Sequence, residues 1–73
     1  IPMPVEIFDE NRLLELAKVA MRCKVVKYPD IVKIKVKTRR KLYTMKVEPE
    51  KGEELIEKLK GVCKETTEIE VGK

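Results

Sequence analysis

The sequence predicts an α+β fold: a small antiparallel β-sheet of three or four strands with two helices on one face, in the order α-β-β-β-α with a candidate terminal strand. Three observations predict it. Apolar residues recur at helical spacing near each end, and the segment between them alternates apolar and polar residues. Isolated Pro and Gly mark the boundaries. Lysine fills one phase of the alternation, so only one sheet face offers apolar side chains for helices to cover.

"MPVEIFDENRLLELAKVAMRC" reads as an extended start followed by a helix. Asp9 is the expected N-cap, its carboxylate accepting an amide N–H of the first turn. Phe8 and Leu13 then have the spacing of a hydrophobic staple. Leu13, Leu14, Ala17, Ala20 and Met21 form one apolar stripe, expected to pack into the core. "CKVVKYPD" reads as a short strand that Pro29 ends, since proline cannot donate to a sheet ladder.

"IVKIKVK" places Val32, Ile34 and Val36 on one face and Lys33, Lys35 and Lys37 on the other. "LYTMKV" places Tyr43, Met45 and Val47 in phase. If residues 38–41 form the loop, Val36 pairs with Tyr43, Ile34 with Met45 and Val32 with Val47, all on one face. A one-residue slip would mix the faces, so this register is predicted. It sets Lys33 opposite Lys46, a mildly unfavourable pair.

"EPEKGEELIEKLKG" reads as the second helix. Pro49 suits the first helical position, Gly61 the residue just past the end. Glu50, Glu53 and Glu54 complement the positive N-terminal end of the helix dipole. Leu55, Ile56 and Leu59 face the core, and Glu54 and Lys58 are spaced to pair. In "TTEIEV", Thr67, Ile69 and Val71 alternate as a strand would.

The 73 residues allow one domain, 1–73. A chain this short buries only about 60% of its unfolded surface. Neither a membrane span nor a secretion leader is expected, because no apolar run approaches about 18 residues and no basic start precedes an apolar stretch. Cys23 and Cys63 are then expected to be reduced thiols. With no His and two Cys, one chain cannot supply the four ligands of a structural zinc site. Ser, Gln and His are absent and Asn11 is the sole Asn, a bias shared with hyperthermophile proteins.

Catalytic chemistry is poorly supplied. Without Ser or His there is no hydroxyl nucleophile with an imidazole base. Gly52, Gly61 and Gly72 are isolated, so no phosphate-cradling loop exists. Asp9, Glu10 and Glu15 read as cap and solvated face. No enzyme activity, cofactor, metal or small-molecule substrate is expected.

Charge is the informative feature. Residues 22–46 carry ten Lys or Arg against one Asp, while the flanking segments are net acidic and the whole chain is only +4. Such a concentrated basic segment suits a polyanionic partner. The candidate RNA-binding residues are Lys33, Lys35, Lys37, Arg39, Arg40, Lys41 and Lys46. A solvated face that discourages edge-to-edge pairing is the structural alternative. Tyr43 is expected to point inward, which disfavours base stacking and favours recognition of the backbone and shape of structured RNA.

Taken in order, "MPVEI", "RLLELA", "VKIKVKTRRKLYT" and "KGEELIEKL" resemble the archaeal and eukaryotic large-ribosomal-subunit family L-thirty-eight-e, from Met3 to about Val71. The strand, basic turn and "LYT" of residues 32–44 are the most specific part. Val5 departs from the basic residue usual near the start, Ile34 from a common aromatic, and residues 62–68 from a proline-containing stretch. The resemblance implies a cytoplasmic structural constituent of the large subunit, archaeal by composition, bound to ribosomal RNA and neighbouring ribosomal proteins. Two other readings fit parts of the pattern. A double-stranded-RNA-binding module shares the element order, but its second helix usually starts with lysines, not Glu50, Glu53 and Glu54. A protein-interaction adaptor would use the acidic helices.

Overall fold

The computed structural model describes residues 5–72. The extended start expected at Met3 and Pro4 lies outside them. Seven elements follow: β1 (Val5–Glu6), α1 (Glu10–Val19), β2 (Arg22–Lys27), β3 (Val32–Lys37), β4 (Leu42–Val47), α2 (Pro49–Val62) and β5 (Thr66–Glu70). They form one five-stranded sheet in the order β1-β4-β3-β2-β5.

The centre of the sheet is the antiparallel meander that alternation predicts. The β3–β4 register runs from Val32 opposite Val47 to Lys37 opposite Leu42, with Ile34 opposite Met45 and Val36 opposite Tyr43. Pro29 and Asp30 turn the chain between β2 and β3, closed by the Tyr28 N–H on the Ile31 carbonyl at 2.8 Å. That turn sets Cys23 opposite Val36 and Val25 opposite Ile34 on the same face. Leu13 and Ala17 from α1 and Leu55, Ile56 and Leu59 from α2 complete the core. Tyr43, Val47 and Leu14 are half-buried at its margin.

The expected sheet was antiparallel with three or four strands; the observed sheet is mixed. β1 adds parallel to β4 and β5 parallel to β2. Parallel partners need a crossover, and the second is supplied by α2 between β4 and β5. Thr67 and Ile69 fall on the open face, opposite Lys24 and Val26, while Thr66 and Glu68 face the helices.

Local details also depart from expectation. Asp9 caps α1, its carboxylate accepting the Asn11 N–H at 3.1 Å, but Phe8 is 82% exposed and forms no staple. The Ile7 N–H donates to the Thr44 carbonyl, so strand alternation continues past Glu6 and turns Ile7 inward and Phe8 out. Met21 leaves the apolar stripe because α1 ends at Val19, and its N–H instead donates to the Lys37 carbonyl at 2.8 Å. Gly61 lies inside α2, one residue before its end, and the C-cap is Cys63.

Cys63 is held there covalently. Cys23 and Cys63 form a disulfide, with 6.4 Å between Cα atoms, which overturns the expectation of free thiols. Compartment logic suggested reduced cysteines, but the fold brings the two residues within bridging distance. The bond joins β2 to the end of α2 across 40 residues of chain. A loop of that length implies about 4 kcal/mol of denatured-state restriction.

Gly52 supplies a second constraint. It is buried in the first turns of α2, and a Cβ there would come within 2.8 Å of the Val32 side chain. Glycine therefore sets how closely α2 approaches the start of β3.

Two outcomes are expected. The unfolded, unreduced protein should show no titratable thiol, and reduction should lower its melting temperature by roughly 15–30 °C, given about 4 kcal/mol and the usual size scaling. Titration of two thiols before reduction would contradict the bond. Gly52→Ala should destabilise by about 1–3 kcal/mol through overpacking. Gly61→Ala, with nothing within 4 Å of the new methyl, should stabilise by up to about 1 kcal/mol. Denaturant melts of both variants would test the pair.

Candidate nucleic-acid interface

The sequence-predicted basic residues lie on two adjoining surfaces. Lys33, Lys35 and Lys37 project from β3 and Lys46 from β4 onto the sheet face that no helix covers, since their in-phase neighbours Val32, Ile34, Val36 and Met45 are in the core. Arg39, Arg40 and Lys41 are exposed at the hairpin tip. The tip is braced by Thr38. Its N–H donates to the Lys41 carbonyl at 3.0 Å. Its hydroxyl donates to the same carbonyl at 2.9 Å and accepts the Lys41 N–H at 3.1 Å. The two arginines between them are thus carried on a closed turn. Tyr43 packs at the core margin as expected, and a hollow lined by Leu16, Val19, Thr38, Arg39, Arg40 and Tyr43 adjoins the tip.

The family model that matches residues 3–69 is described as the ribosomal L38e protein family. The chain belongs to that family. It is also 42% identical over 67 residues to the large ribosomal subunit protein eL38 of Aeropyrum pernix, covering 92% of this chain and all of that relative. Membership makes it a structural protein of the cytoplasmic ribosome rather than an enzyme.

In this L38e-family fold, ion pairs are sorted by face. On the helix side, Glu10 of α1 meets Lys51 at 2.8 Å and Lys58 at 3.6 Å. Glu68 of β5 meets Lys60 at 2.6 Å and Lys27 at 3.4 Å, and Lys27 also meets Glu53. Glu54 and Lys58, expected to pair along α2, take other partners: Lys51 at 4.0 Å and Glu10. Among the described residues, none of the seven predicted RNA-binding cations forms an ion pair. Lys33 instead lies over the Tyr28 ring, 5.3 Å from its centroid, a cation–π contact.

Two basic residues escaped the sequence reading. Arg22 and Lys24 of β2 sit on the open face, opposite Lys37 and Lys35. The signal was present: "RCKV" alternates, and a two-residue turn at Pro29–Asp30 fixes its register against β3. On the same face Val26 is buried, 7% exposed, between Lys33 and Ile69 in register.

The paired groups titrate away from their ordinary values. The Lys51 ammonium, by hydrogen bond first and then by charge, holds the Glu10 carboxyl below the usual range. Lys60 does the same for Glu68. Lys27 is raised chiefly by its hydrogen bond to Glu68, and Lys51 by that to Glu10. Depressed carboxylates contribute stability above their unfolded value of about 4.3 and lose it as pH falls through the folded value. The raised lysines contribute below about 10.4 and lose that contribution as pH rises through their folded values. The melting temperature should therefore decline on the acid side below about pH 4.3 and again above about pH 10.4. An acid limb unchanged by Lys51→Met and Lys60→Met would show that these pairs do not shape it.

Proposed function

We propose that the basic hairpin anchors the chain to ribosomal RNA of the large subunit, residues 1–73 acting as a single RNA-binding domain. Arg39 and Arg40 present planar forks suited to two oxygens of one phosphate, and Lys41 adds a point charge. Lys33, Lys35, Lys37 and Lys46 add a more diffuse attraction along the open face. One observation carries the reading: the hairpin cations have no carboxylate partner among the described residues, while Glu10, Glu53, Glu54 and Glu68 of the helices and β5 pair with lysines off the hairpin. Repulsion left uncompensated within the fold is relieved by a polyanion, and counterion release then supplies affinity. The tip projects past the last pair, Lys37 with Leu42, so it can enter a groove that the flat face cannot. The Lys- and Glu-rich composition and the disulfide support an archaeal, thermophile-like setting.

Arg39→Glu with Arg40→Glu should sharply reduce co-sedimentation with large subunits. Lys18→Glu with Lys64→Glu, at exposed cations off the hairpin, should reduce it little. Stability should change by no more than about 0.5 kcal/mol per site in either variant. A folded tip variant that assembles as well as the parent would remove the hairpin as anchor.

A further inference from the structure

We propose that the open sheet face holds a phosphate seat of its own, formed by Arg22, Lys24, Lys35 and Lys37 around Leu42. The proposal deepens the RNA-binding reading and rests on it for the source of the phosphate, but not for the seat itself. The β2–β3 register places Arg22 opposite Lys37 and Lys24 opposite Lys35, in two consecutive rows on one face. Directly opposed side chains have Cβ atoms only about 4.5–5.5 Å apart, and like charges there repel. The four side chains and Leu42 line a shallow hollow of about 190 Å³, and no carboxylate lines it.

The donors are available. Lys24, Lys35 and Lys37 form no ion pair among the described residues, and Arg22 meets Glu65 through Nε at 3.1 Å. The next row belongs to a different environment, because Lys33 is drawn over Tyr28 and faces Val26. The seat is therefore bounded along the strands. A tetrahedral oxyanion accepts hydrogen bonds from several directions, which fits donors converging from two neighbouring strands. Leu42 makes part of the wall apolar, which strengthens the attraction by lowering the local dielectric. The phosphate belongs to an RNA backbone or to a free polyphosphate, and both offer this chemistry.

The test is a titration of the isotope-labelled chain with sodium tripolyphosphate, followed by amide NMR at constant ionic strength with chloride as control. The expected result is saturable shifts centred on residues 22–24, 35–37 and 42. Lys24→Gln with Lys35→Gln should weaken binding about tenfold or more, while Lys18→Gln with Lys64→Gln, exposed cations off both basic surfaces, should change it less than about twofold. The first variant removes an opposed like-charge pair, so it should melt no lower than the parent. Shifts confined to the tip, shifts at the seat that fail to saturate, or affinity indifferent to Lys24 and Lys35 would overturn the seat. A salt series with duplex RNA separates the sources. If backbone phosphate occupies the seat, the same variant should flatten the slope of log affinity by roughly 1.4–1.8, for two lost phosphate contacts. An unchanged slope with tripolyphosphate binding intact in the parent assigns the seat to free polyphosphate. Normal assembly of the Arg39→Glu, Arg40→Glu variant would remove the tip anchor and leave this result standing.

Discussion

The pairing register of β3 against β4 is the constraint on which the rest depends. With Val32 opposite Val47, every second residue of both strands enters the core. A one-residue slip would exchange Val32, Ile34 and Val36 for Lys33, Lys35 and Lys37. Each buried aliphatic side chain contributes about 1.5–3 kcal/mol, and a buried unpaired lysine opposes folding by several. The short turn at Pro29–Asp30 transmits the same register to β2, so three strands share one apolar and one basic face. Gly52 then lets α2 settle directly on Val32, and both helices complete one contiguous core.

Charge follows from that division. The helices can cover only the apolar face, so their carboxylates meet lysines at the helix–helix seam and along the β5 side. They cannot reach cations on the far face of the sheet. The basic surface is therefore a geometric consequence of the meander as much as of composition. Arg22 is the partial exception, since Glu65 lies just before the edge strand β5 and reaches round to it.

What could be read from the sequence tracks how local its cause is. The β3–β4 register was legible because alternation and loop length overdetermine it, and the Asp9 cap because its signal spans three residues. The parallel edge strands were not. β1 is two residues long, and its partner β4 lies across an intervening helix and two strands, so no turn chemistry announces the pairing. Phe8 misled because staple spacing ignores the strand alternation that turns Ile7 inward instead. Gly61 suggested a helix end at about residue 60, but α2 runs on to Val62 and its C-cap is Cys63, the disulfide partner of Cys23. The disulfide itself depends on two cysteines meeting through tertiary packing, about which spacing says nothing. In the candidate site, the hairpin cations were legible as a run, but Arg22 and Lys24 join them only through sheet pairing.

A surface that repels itself must be held by something other than its own interactions. Cys23 lies between Arg22 and Lys24 in sequence but points to the opposite face, where it is bonded to Cys63 at the end of α2. The covalent tie therefore stands directly behind the two rows of opposed cations. Each opposed pair costs on the order of 0.2–1 kcal/mol, which is small beside the roughly 4 kcal/mol that closing so long a loop contributes. Without the tie, β2 could relieve the repulsion by fraying from β3, and the cations would lose their fixed spacing. With it, the basic face stays ordered before any partner arrives. A surface already ordered loses less conformational freedom on binding than one that must be assembled by its ligand. The same bond that stabilises the core thus keeps the sheet's outer face in a geometry where phosphate can relieve the repulsion and lysine and arginine need not move to do so.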